Sequence, residues 1–199
     1  MKTKKIDFNP ETHSYFVDGA RVPSVTQILG EFFPFKGQGE AAERARNFGN
    51  AVHKAIELDL NNQLDYVTVH ESIIPYLNQF NEAIKKLRYQ RLSSPELRLY
   101  SKKHKFCGTI DFPGNVIVDI KTGGKSPAHR LQIAAYRHLW NNNNPMDKIG
   151  KGAVLYLDGS EKTIIEPEQP QDFKTFLDCL NIYNWKRKER LNGTPKDLE

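Results

Sequence analysis

Cysteine is nearly absent from this chain: there are two, Cys107 and Cys179, far apart and in no CxxC pair. That excludes a disulfide framework and a cysteine-built zinc or iron–sulfur centre, and it fits a reducing compartment. Long apolar runs are missing as well, none approaching the ~18 residues of a membrane span. Met1-Lys-Thr-Lys-Lys5 leads into Ile-Asp-Phe-Asn-Pro10 without the apolar segment of a signal peptide or the acid-poor character of a transit peptide. The expected location is therefore the cytoplasm, with no membrane partner. No internal repeat and no long linker is visible. The polar tract Asn141–Asn144 reads as a loop after a helix, and the tail from Asn192 as a frayed end.

What is present is ordinary for a soluble globular protein: 38% apolar and 27% charged residues in a chain of 199. That length suits one domain over 1–199, with an N-terminal hairpin and helical segment over 1–70 and a C-terminal helix over 171–191. The net charge of +5 is compatible with a polyanionic partner.

Periodicity and turn chemistry place the elements. Tyr15–Val17 and Ala20–Val22 flank Asp18-Gly19, a favoured hairpin turn. Ser24 is a good N-cap for a short helix through Leu29. Helical spacing of apolar residues predicts helices over Glu40–Leu60, Ser72–Arg88, Pro127–Trp140 and Gln171–Arg190. β-branched runs predict strands over Glu96–Ser101, Phe106–Phe112, Val116–Lys121, Ala153–Leu157 and, shorter, Thr163–Ile165. Trp140 and Trp185 read as core residues. The expected class is α/β (α+β), a mixed central sheet flanked by helices.

The chemistry concentrates around Gly108-Thr-Ile-Asp111 and Asp119-Ile-Lys121-Thr122. Pro113-Gly114-Asn115 between the two strands is turn chemistry. A hairpin centred there puts Asp111, Asp119 and Lys121 on one face, because side chains two apart on a strand point the same way. Val116, Val118 and Ile120 then form a buried floor. Two carboxylates and an ammonium make a site for a hard divalent cation and an anionic substrate. Gly49 and His53 share a helical face, where His53 can add a nitrogen ligand. A glycine inside a helix costs about 1 kcal/mol against alanine and asks for a reason, the close approach of another backbone being one. Gln132 and Tyr136 project together from the next helix, with Arg130 and Arg137 nearby for phosphate contact. Glu96, at a strand start, can support a metal or orient a catalytic group.

Taken together, Gly49…His53, Glu96, Gly108…Asp111, Asp119-Ile-Lys121 and Gln132…Tyr136 resemble the PD-(D/E)XK nuclease superfamily, in its RecB-like exonuclease branch. The N-terminal Tyr15-Phe-Val-Asp-Gly19 and Pro23-Ser-Val-Thr-Gln-Ile-Leu29 also look like the opening of small phage and mitochondrial single-strand exonucleases. The resemblance covers roughly Phe48 to Leu157. It implies a restriction-endonuclease-like core in α-β-β-β-α-β order. It also implies a Mg²⁺- or Mn²⁺-dependent DNA exonuclease that prefers single-stranded DNA or free ends and acts in recombination, repair or replication, in a bacterial or phage-infected cell. Members that carry an iron–sulfur cluster need four cysteines, which this chain lacks. It also has no helicase segment, so unwinding would fall to a recombination or replication partner.

The roles implied are these. His53, Asp111, Asp119 and the Ile120 carbonyl hold one or two metal ions, while Lys121 positions water or stabilises developing charge. Glu96 joins the catalytic group. Gln132, Tyr136, Ser24, Thr26 and Arg130 contact DNA. Two alternatives stay open: a structure-specific endonuclease on the same core, and a catalytically silent nucleic-acid-binding protein.

Overall fold

The computed structural model describes residues 5–34 and 37–192, and the expected frayed tail beyond Asn192 lies outside them. Its centre is a pair of parallel strands. Strand β6 (Ile117–Lys121) lies beside β7 (Gly152–Tyr156) in the register Ile117↔Gly152 to Lys121↔Tyr156. Parallel neighbours need a crossover, and helix α4 (Pro127–Asn143) supplies it. Strand β8 (Ile164–Pro167) adds antiparallel to β7. On the other side, β4 (Leu97–Ser101) and β5 (Phe106–Ile110) form an antiparallel ladder, joined to β6 through the single bridge Phe112↔Val118. A separate sheet of β1 (Ile6–Asn9), β2 (Ser14–Val17) and β3 (Ala20–Val22) precedes them. The result is a mixed α/β fold with several small sheets.

Strand alternation sends neighbours in β6 to opposite faces. Ile117 joins Phe106, Ile110 and Val154 under Leu139 of α4, Ile28 of α1 (Val25–Gly30) and Phe176 of α5 (Asp172–Asn192). Val118 and Ile120 face the other way, onto Val52 and Ile56 of α2 (Gly39–Leu60) and Leu77 and Phe80 of α3 (Ile74–Lys86). Val116 joins that second cluster, so the expected floor forms. Each such buried Val, Ile, Leu or Phe contributes roughly 1.5–3 kcal/mol of transfer free energy. Among the described residues no helix is long and apolar enough to cross a membrane.

Several expected boundaries shift. Strand β1 is too short for its alternation to stand out; it is closed by Asn9 Oδ1, which accepts from the backbone of Glu11 and Thr12. The helix expected from Ser72 begins as a 3₁₀ turn, Glu71–Ile73, before α3 starts with Pro75 in its first turn. Glu96 stands outside β4, with φ +58°. The tract Asn141–Asn144 is helical through Asn143 rather than a loop. Asn141 exchanges two hydrogen bonds with the Ile149 backbone, which rewards extending the helix. Trp140 is core, but Trp185 is 62% exposed, correcting its expected burial.

Candidate functional site

The backbone sets the site's centre. Phe112 and Val118 exchange two hydrogen bonds, so the next residues outward, Asp111 and Asp119, stand opposite each other. Asp119 lies inside the fold at 0% exposure, near the C-terminal end of β6. Clefts beyond the C-terminal ends of parallel strands are the usual sites of α/β sheets. Lys121 Nζ comes to 2.7 Å from Asp119 Oδ2. Asp119 Oδ1 accepts from Gln132 Nε2 at 3.2 Å, and the same nitrogen donates to Tyr136 Oη at 2.9 Å.

Helix α2 brings in the histidine. His53 Nε2 is 3.0 Å from the Ile120 carbonyl oxygen, and Nδ1 is 3.5 Å from Asp111 Oδ2. Gly49 permits this approach: a Cβ there would meet Thr122 Oγ1 at 2.9 Å. The close neighbour is thus a side chain just past Lys121. Gly108 has a parallel reason, since a Cβ on it would sit 2.8 Å from the Tyr136 ring and 2.9 Å from Leu139 Cδ1.

Burial pushes the Asp119 carboxyl up to about 6, against the opposing pull of Lys121. For Lys121, burial works to lower the ammonium, but Asp119 and Asp111 outweigh it and hold it above the usual lysine value. Lys121 is therefore a charged donor in this arrangement rather than a base. Burial raises the Tyr136 phenol well above its ordinary value, with Asp119 and Asp111 adding to the effect. The Tyr136 hydroxyl therefore stays neutral.

Among the described residues, no cluster of three or more His, Cys, Asp and Glu side chains is close enough to hold a metal ion by itself. The donors nevertheless suit a hard cation once the backbone is counted. Asp111 Oδ2 is buried and accepts no hydrogen bond. An octahedral ion with bonds of about 2.1 Å places neighbouring ligands about 3 Å apart; His53 Nε2 and the Ile120 oxygen are 3.0 Å apart. Asp119 Oδ2 has the Lys121 ion pair and no further hydrogen bond. His53, Asp111, Asp119 and the Ile120 carbonyl are the residues that could hold such an ion.

Of the other expected site residues, some fall elsewhere. Gln132 and Tyr136, expected on DNA, are buried behind Asp119, and their polar atoms serve the carboxylate. Ser24 is 2% exposed, and its hydroxyl caps α1 by accepting from Gln27 N. Thr26 Oγ1 lies 3.1 Å from Ser24 Oγ, on the same helix start. Arg130 Nε is 3.5 Å from buried Asp172, with Glu166 also in reach, so its charge belongs to the α4–α5 packing. Arg137 is paired with Glu168. Glu96 donates its backbone N–H to the Asp111 carbonyl. Loss of water around its carboxyl, then the charge of Glu57, raises it. Glu96 thus sits beside Asp111, and Glu57, one turn beyond His53 on α2, was missed.

A cavity of about 630 Å³ opens over this centre, reaching His53, Ile120 and Lys121. Sequence reasoning missed most of its wall. Asn50 and Arg46 come from α2, one and two turns before His53, and Lys125 and His129 come from the entry to α4. Their signal was positional: Asn50 neighbours Gly49, and His129 precedes Gln132 by one turn. His129 Nδ1 is 3.1 Å from Tyr156 Oη. Burial, then the charge of Lys121, lowers that imidazole and keeps it neutral. Among the described residues lining the cleft there is no Asp or Glu.

No protein-family model and no curated protein matches this chain. Among solved structures, the crystal structure of SSO0001 is similar over 88% of this chain and 95% of that one, at 13% identity and a TM-score of 0.36. That likeness is too weak to inform the fold or the reaction.

Proposed function

We propose that this protein is a metal-dependent deoxyribonuclease that hydrolyses phosphodiester bonds at the cleft over Asp111, Asp119 and Lys121, with a preference for single strands or free ends. The observation that carries the reading is the convergence of His53, the Ile120 carbonyl, Asp111, Asp119 and Lys121 beneath a cleft whose described lining residues include cationic and no acidic side chains. The element order α3-β4-β5-β6-α4-β7 supports the reading, since the resemblance implies a core in α-β-β-β-α-β order.

His53, Asp111, Asp119 and the Ile120 carbonyl would hold one or two Mg²⁺ or Mn²⁺ ions. Such an ion, when bound, supplies Lewis-acid activation of the phosphate and a more acidic water. Lys121, whose ammonium reaches the buried Asp119 carboxylate at 2.7 Å, would donate to the oxygens that gain negative charge. Gln132 fixes the Asp119 carboxylate from behind, and Tyr136 fixes Gln132. Arg46 and Lys125 attract the strand, a contribution that weakens as salt rises.

Linear single-stranded and duplex DNA, labelled at either end, should be degraded with Mg²⁺ or Mn²⁺ and not with EDTA. Covalently closed single-stranded circles should survive. Asp119→Ala and Lys121→Ala should each lose about 100-fold or more in rate. Absence of a metal-dependent product on any substrate, or wild-type rates in either variant, overturns the reading; cleavage of the closed circles turns it to an endonuclease.

A further inference from the structure

Two phenylalanines follow α1 and they behave oppositely. Phe32 packs against the main core, with Lys186 Nζ 5.5 Å from its ring centroid. Phe33 is 36% exposed and lines the cleft. Its backbone is not loose: Phe33 N donates to the Leu29 carbonyl at 2.8 Å. Helix α1 is itself anchored through buried Val25, Ile28 and Leu29, and closed at its start by the Ser24–Gln27 capping box. The ring is therefore presented from a fixed base.

Its surroundings say what it presents the ring to. Arg46, Lys121 and Lys125 line the same cleft. Proteins that take single-stranded nucleic acid combine a cationic groove along the backbone with aromatic rings on which bases stack. Away from its ends a duplex keeps its base faces covered by neighbouring pairs, so there an isolated ring finds a partner only on an unpaired base. Trp185 is more exposed than Phe33 but does not line this cleft.

We infer that Phe33 is a base-stacking platform, which holds an unpaired nucleotide of single-stranded DNA while its phosphates follow Arg46 and Lys125 toward Lys121. The inference rests on the nuclease reading for the identity of the strand. It adds the residue that makes the cleft prefer an unpaired strand over a duplex.

Binding without cleavage tests it. In EDTA, the affinity for an oligothymidylate of roughly 16 nucleotides, the upper range of one single-strand site, is measured by fluorescence anisotropy. Phe33→Ala and Phe33→Leu should weaken binding about five-fold or more, while Phe33→Trp should retain it. Leucine keeps the apolar bulk and lacks the π-face, so it separates stacking from simple contact. A 2-aminopurine in the strand should be quenched by the wild-type protein and by Phe33→Trp but not by Phe33→Leu. Affinity for a covalently closed duplex circle, which has no open base face, should be the same in all four proteins. Wild-type affinity or quenching in Phe33→Leu, or an equal loss on duplex, overturns the proposal, as does failure of the wild-type protein to bind the single strand. The nuclease reading fails separately, by the absence of metal-dependent products.

Discussion

His53 Nε2 and the carbonyl oxygen of Ile120 stand 3.0 Å apart, although 67 residues separate them in the chain. Without metal, this is an N–H donating to a carbonyl. Both atoms are donors that would hold a hard divalent ion. His53→Ala should therefore raise the Mn²⁺ concentration needed for half-maximal cleavage by about 10- to 100-fold. A Mn²⁺ titration of the initial rate checks it. An unchanged half-saturation point would mean that the carboxylates alone set metal affinity.

Gln132 and Tyr136 act on Asp119 rather than on the strand. Gln132→Leu removes the donor to a buried carboxylate and should lower kcat about 10- to 100-fold, with Tyr136→Phe weaker in effect. The KM for DNA should hardly move in either variant. Michaelis profiles decide: a raised KM with steady kcat would return these residues to DNA contact.

Gly108→Ala should destabilise the protein by about 1–3 kcal/mol. The added methyl group meets the Tyr136 ring and Leu139, both fixed in the core. Urea unfolding at matched slope measures the loss. An unaltered midpoint would show that α4 yields easily, which the packing around Tyr136 argues against.

His138 makes stability depend on acidity. It stacks on Phe173 with centroids 3.8 Å apart, and Asn142 Nδ2 lies 2.6 Å from its Nε2, so that nitrogen must accept. Burial first, then His104 and nearby lysine and arginine charges, hold the imidazole down to about 4. The unfolded chain titrates near 6.5. Between those values the unfolded state binds a proton that the folded state refuses, so stability falls as pH drops through that window. The loss is on the order of 1–3 kcal/mol and is complete below about pH 4. His138→Gln should flatten the curve; urea midpoints across the window test it, and an equally steep variant would assign the dependence to other groups.

Much of this was legible in the sequence because it is carried by local rules. The alternation of β6 fixed which residues are floor and which are site, and the Asp111–Asp119 opposition followed from one turn at Pro113-Gly114-Asn115. What escaped was set by distant partners. Ser24 reads the same whether it caps a helix or meets phosphate; its burial against the Cys107 strand decides it. Arg130 looked free because Asp172 lies 42 positions along the chain, on another helix. Asn141–Asn143 look like a loop by composition, yet Ile149 offers the backbone groups that make a longer helix favourable. Most of the cleft wall beyond Gly49, His53 and Lys121 was not legible, since Phe33, Arg46 and Lys125 each lie on a different segment.

The N-terminal sheet has a consequence for how the molecule is made. Tyr15 Oη and Thr109 Oγ1 are 2.6 Å apart across 94 residues, and Ser24 bridges Cys107 where β5 parts from β6. The earlier segment thus contacts a strand that is synthesised much later. During translation, at roughly 5–20 residues per second, Tyr15 waits at least several seconds before its partner exists. A ribosome-stalled chain ending before β5 should therefore expose the β1–β3 hairpins to proteases that spare them in the finished protein.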